Sequence, residues 1–118
     1  MKTGIYRLAE QIGNYGFYGE IEIECSITDK YQELELNLDS EFERWRSSVL
    51  FGATYFLEHS MERVGLKVKV KNIKYHEVDT TSTILAYLTF KALLDATNLN
   101  LKSDVSFDKE LKSFVFPK

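Results

Sequence analysis

From Gly19 to Ile27 apolar and polar residues alternate. Ile21, Ile23, Cys25 and Ile27 fall on one side, and Glu20, Glu22, Glu24 and Ser26 on the other. A period of two is that of a half-buried strand. Thr28-Asp29-Lys30 reads as a turn. Glu33 to Leu38 then repeats the alternation with Leu34, Leu36 and Leu38 inward, so the two runs predict an antiparallel hairpin.

The period changes after Leu38. Ser40-Glu41-Phe42-Glu43 has the spacing of a capping box, which predicts a helix starting there. Phe42, Trp45, Val49, Ala53, Phe56 and Val64 keep one face, and Gly65 is the expected stop. Gly52 and Ala53 would let this helix lie close to a neighbour. Leu66 to Val70 alternates again, with Lys67, Lys69 and Lys71 outward. The phase slips at Lys71-Asn72 before Ile73 and Tyr75, which a bulge or a short bend would explain. A second helix is predicted from a cap at Asp79 or Thr80 to about Ala96, with Leu85, Leu88, Ala92 and Ala96 inward. Leu99 to Phe107 suggests an extended stretch, and Leu111 to Phe116 a last strand. The elements predict an α/β (α+β) two-layer sandwich, a small mixed sheet with two helices on one face.

Length fits this picture. The 118 residues suffice for one domain over 1–118, and 44% hydrophobic residues suffice for its core. Fifteen Lys and Arg against 18 Asp and Glu give a net charge of −3, so electrostatics alone would not hold the chain to nucleic acid. Cys25, the one cysteine, can form no internal disulfide and no zinc site; its phase with the isoleucines predicts a buried, inert thiol. Lys2 to Glu10 has no apolar run of the kind that opens a signal peptide, and no stretch is long enough to span a membrane. A cytoplasmic protein without a membrane partner is the expectation.

Two segments carry a resemblance. Tyr75-His76-Glu77-Val78-Asp79-Thr80-Thr81 leads into an apolar helix containing Phe90-Lys91-Ala92. It is similar to the stretch of elongation factor G that reads Ser-Tyr-His-Glu-Val-Asp-Ser-Ser, followed by a helix with Ala-Phe-Lys. Gly13-Asn14-Tyr15-Gly16-Phe17-Tyr18-Gly19-Glu20-Ile21 resembles that family's Gly-Gly-Arg-Gly-Gln-Tyr-Gly-His-Val. The order matches the factor's fourth domain, over about residues 11 to 97; the tail from Asn98 lies outside it. The resemblance implies that domain's fold. It also implies two loops at one end of the molecule, a glycine loop and a Tyr-His loop, which in the factor approach tRNA and mRNA on the ribosome. This chain departs from the pattern at Tyr15, where the family has Arg, and at Glu20, where it has His. It has no Gly-x-x-x-x-Gly-Lys-Ser/Thr phosphate loop, so it cannot couple GTP hydrolysis to movement.

The candidate chemistry has plain alternatives. Glycines 13, 16 and 19 lead into a strand rather than from a strand into a helix, so they predict a loop and not a dinucleotide site. Tyr15, Phe17 and Tyr18 could stack on bases if exposed, or close the end of the sheet if packed. His76 beside Glu77 and Asp79 lacks the second histidine of a zinc-protease pattern, because Thr80 stands there. Asp79 has a structural explanation as a helix cap; His76 has none. His59, mid-helix next to Glu58, reads as a surface residue. The Lys67, Lys69, Lys71 and Lys74 stripe and the Glu20, Glu22, Glu24, Glu33 and Glu35 stripe neutralise each other if their strands adjoin. If they do not, the lysines become a phosphate-contacting surface. No nucleophile and base pair stands out. The expectation is a non-enzymatic binding domain with no cofactor and no metal. Its partner-binding residues are Tyr15, Phe17, Tyr18, Tyr75, His76 and Glu77, and they serve the ribosome or RNA. The alternative is a protein-interaction module, such as an inhibitor, an immunity-type partner or a self-associating subunit.

Overall fold

The alternation around Gly19–Ile27 belongs to a strand longer than the pattern predicts. The structure, a computed structural model, describes residues 1–118. Strand β2 runs from Tyr15 to Thr28, and an unforeseen β1, Lys2–Ile12, pairs antiparallel with it along its whole length, Lys2 opposite Cys25 and Ile12 opposite Tyr15. The sequence signal for β1 is weak because its inward positions are Gly4, Tyr6 and Leu8, while Ile5 and Ala9 face outward. Gly13-Asn14 is the two-residue turn between them. Gly13 has φ +60° and Asn14 keeps a negative φ, as a type II′ hairpin requires. The expected glycine loop therefore shrinks to this turn, and Gly16 and Gly19 lie within β2.

The predicted hairpin of the second and third runs does not form. Strand β3, Leu34–Asn37, lies parallel to β4, Gly65–Lys74, and β4 separates it from β2; the order is β1-β2-β4-β3. The loop after β2 wraps the start of β4: Gln32 donates its amide to Val64 and Leu66 donates to Glu33. A Cβ on Gly65 would collide with the Lys30 carbonyl oxygen, so this glycine opens β4 rather than ending a helix.

The first helix also differs from expectation. Ser40–Trp45 is a 3₁₀ helix, and α1 spans Arg46–His59; the residue flanking the 3₁₀ start, Asp39, makes no side-chain cap bond. Phe42 and Trp45 are buried as expected. Helix α2, Ser82–Thr97, ends close to its predicted limit, but Thr81 is its cap: the hydroxyl accepts from the Ile84 amide. Gly52 brings the helices together, since a Cβ there would lie 2.5 Å from the Ala86 carbonyl oxygen.

Both helices cover one face of the sheet, α2 over β1 and β2 and α1 beside α2. The two layers make the predicted α+β sandwich. Ile21, Ile23, Cys25, Val68, Val70, Phe56, Leu88 and Phe90 form its buried centre. Phe56 meets Phe90 of α2 edge-on at 5.3 Å. The expected last strand is not part of this sheet. Ser106–Asp108 (β5) and Ser113–Val115 (β6) form a separate hairpin, anchored by Phe107 and Phe114.

The end of the sheet near Tyr18 and Tyr75

A β-bulge prepares this end. Glu22 opposes Asn72 and Ile23 opposes Val70, which leaves Lys71 as the extra residue where the sequence phase slipped. The bulge returns Ile73 to the core and aims Lys74 at Glu20, 3.5 Å away.

Beyond Lys74 the chain folds back over β2. Thr80 ties the two together. Its hydroxyl donates to the Tyr18 carbonyl at 2.7 Å and accepts from the His76 amide at 2.8 Å. The Tyr18 amide donates to the Asp79 carbonyl at 3.1 Å, and the Thr80 amide to the His76 carbonyl at 3.0 Å. Asp79 and Thr80 are thus not helix caps but stitches between the two segments. Gly16 is required beneath them, since a Cβ there would lie 2.5 Å from the Asp79 carboxylate.

This arrangement brings Phe17, Tyr18, Tyr75 and His76 around one open groove of about 530 Å³, completed by Ala9, Glu10, Gln11 and Asp79. Tyr18 faces the open side of the sheet, with the Arg7 guanidinium 5.9 Å from its ring centre. Tyr75 is 38% exposed and rests edge-on against Trp45 at 5.4 Å. His76 is exposed; its Nδ1 accepts from the Val78 amide at 3.2 Å and stands 4.0 Å from the Asp79 carboxylate. That bond uses Nδ1 as an acceptor. His76 therefore has a structural duty that the sequence did not suggest.

The other two candidate residues lie apart. Glu77 pairs with Arg44 at 2.9 Å, and the guanidinium sits over both Trp45 and Tyr75, at 4.7 and 4.8 Å. The hydrogen bond from Arg44 to Glu77 holds the guanidinium above its ordinary pKa. Tyr15 is on the helix side of β2, with Lys112 over its ring at 4.5 Å, facing a second hollow of about 480 Å³ with Thr81 and Ser113. Phe17 is half-buried between Phe107 and Phe114. Of the three aromatics beside the glycines, then, Phe17 packs, Tyr15 stays 59% exposed with a lysine against its ring, and Tyr18 opens onto the groove. Sequence reasoning missed Ala9, Glu10 and Gln11, whose strand it did not read, and Thr80, whose hydroxyl it assigned to a cap.

The charged stripes adjoin. On the open face Lys67 meets Glu35 at 3.8 Å, Lys71 meets Glu24 at 3.2 Å and Lys74 meets Glu20 at 3.5 Å. Cys25 is buried, and burial raises its thiol pKa. His59 is half-buried, stacked on Tyr55 at 3.9 Å with Nδ1 at the Tyr55 carbonyl, and is not the surface residue expected. No three His, Cys, Asp or Glu side chains gather as a metal would need, and no helix is long and apolar enough to cross a membrane.

No family model and no curated protein matches this chain. Among solved structures, it is similar to a Thermus thermophilus protein with a TM-score of 0.68 and 17% sequence identity. The match covers 82% of this chain and 16% of the neighbour, so the fold recurs as a small part of a much longer protein. At that identity the likeness concerns the fold alone.

Proposed function

We propose that this chain is a non-catalytic binding domain of the kind found as the fourth domain of elongation factor G, contacting the ribosome or structured RNA through the groove at Tyr18, Tyr75 and His76. One observation carries the reading. The two segments on which the resemblance rests are far apart in sequence, yet they are stitched together by Thr80 around one groove. Tyr18 and Tyr75 offer ring surface to unstacked bases, a contact worth roughly 1–3 kcal/mol per base. Asp79 in the same groove disfavours phosphate there, so bases are the expected ligands within the groove, and the phosphate contacts that make binding salt-sensitive lie outside it.

The protein-interaction reading is favoured by a different feature. Three of the four lysines of the stripe, Lys67, Lys71 and Lys74, are paired with glutamates, which weakens that surface for RNA contact. Co-sedimentation with ribosomes at rising salt separates the two. The RNA reading expects binding at low salt, loss of it as salt rises, and loss of it when Tyr18, Tyr75 and His76 are all replaced by Ala in a folded variant. Absence of binding by the unaltered protein at every salt concentration would discard this reading in favour of a protein partner.

A further inference from the structure

Strand β1 is an edge, and it is long. It spans Lys2–Ile12, whereas the opposite edge, β3, has only Leu34–Asn37. Long open edges are templates for pairing with another strand, and proteins usually shorten or cover them. Here the cover is a single bond: the Ile5 amide donates to the Asp95 carboxylate of α2 at 3.1 Å. That bond also shows which groups point outward. Ile12 and Tyr15 flank a two-residue turn, so even-numbered residues of β1 bond to β2 and odd-numbered ones present amide and carbonyl to the edge.

We infer that β1 is the interface of a homodimer, in which two copies join antiparallel about a twofold axis at Tyr6 and their four-stranded sheets merge into one. The occupant is chosen by charge. With Tyr6 opposite its equivalent, Lys2 of each copy faces Glu10 of the other, Ile5 faces Arg7, and Thr3 faces Ala9. The parity fits as well. Thr3, Ile5, Arg7 and Ala9 all turn their backbone groups outward, so they form the hydrogen-bonded pairs. Lys2 and Glu10 fall at non-hydrogen-bonded positions, where side chains approach most closely. Sliding the register by one step either way removes this match: one slide sets Arg7 against Arg7, the other sets Lys2 against Leu8. On forming the dimer, Asp95 releases the Ile5 amide to the Arg7 carbonyl of the second copy, and Glu10 exchanges its exposed partner Lys109, now 3.0 Å away, for Lys2.

The test is sedimentation velocity of the full chain over a concentration series. A monomer–dimer equilibrium is expected, and Ala9→Pro is expected to weaken it at least about tenfold, because proline removes an edge donor while sparing the bonds to β2. Glu10→Lys is expected to weaken it similarly, and Lys2→Glu combined with Glu10→Lys to restore it. Within one chain these residues lie about 26 Å apart along the strand, so rescue can arise only between copies, even if Ala9→Pro fails to fold. A chain that stays monomeric at about 1 mM overturns the proposal, as does a dimer indifferent to the Glu10 reversal or one that the charge exchange does not rescue.

Discussion

Thr80 shows how one hydroxyl can decide a site. It is buried and has two backbone partners, the Tyr18 carbonyl and the His76 amide. Thr80→Ala leaves both without a partner in a place that water reaches poorly, at a cost of about 1–3 kcal/mol. Thr80→Ser keeps the hydroxyl and should recover most of it. Chemical denaturation of the two variants checks this, and equal losses would show that the methyl, not the hydroxyl, matters. Cys25 makes the opposite point, since nothing is asked of it. It is buried beside Ile23 in the core, and burial raises its pKa, so little thiolate forms at neutral pH. Native protein should react with a thiol reagent only at the rate at which it unfolds, and faster labelling would place the thiol at the surface. This burial was legible from alternation alone. The role of Thr80 was not, because a threonine before a helix reads first as a cap, and the cap proved to be Thr81.

At the scale of elements, what could be read was whatever depends on a residue's own neighbours in sequence. The inward faces of β2, β4 and α2, the bulge at Lys71 and the close helix approach at Gly52 all follow from period and residue size. The pairing of β3 with β4 instead of β2 could not be read. Its alternation fits either neighbour, and the choice is made by the loop that wraps Gly65. The 3₁₀ turn at Ser40–Trp45 was hidden for a similar reason: Phe42 and Trp45 are three residues apart, a spacing both helix types satisfy. Two substitutions test the helix layer. Phe56→Ala removes a fully buried ring packed on Phe90 and should cost about 3–5 kcal/mol. Gly52→Ala pushes a methyl against the Ala86 carbonyl and should cost about 1–3 kcal/mol. A loss below about 1 kcal/mol for Phe56→Ala would mean that the α1–α2 contact contributes little to stability.

For the whole molecule the question is which surface would meet the ribosome or RNA under the proposed reading. The open face and the groove make different demands. On the open face three lysines already have glutamate partners at 3.2–3.8 Å, each exposed pair being worth about 0.2–1 kcal/mol. A phosphate would have to displace those carboxylates and then remain beside them, and the net charge of −3 offers no long-range attraction in return. The groove asks for less displacement: the weak Arg7 contact crosses the Tyr18 ring, and Arg44 covers one face of the Tyr75 ring, which stays 38% exposed. Replacing Lys67, Lys71 and Lys74 by Gln should therefore leave ribosome co-sedimentation within about twofold of the unaltered protein, because none of these lysines lines the groove and no ring is removed. Replacing Tyr18, Tyr75 and His76 by Ala should reduce it by about tenfold or more, the equivalent of one lost base stack. The two triple variants, matched for folding by circular dichroism, distinguish the surfaces in one experiment. If the lysine variant loses binding and the tyrosine variant keeps it, the contact lies on the open face, and the glutamates paired with those lysines must give way when the partner arrives.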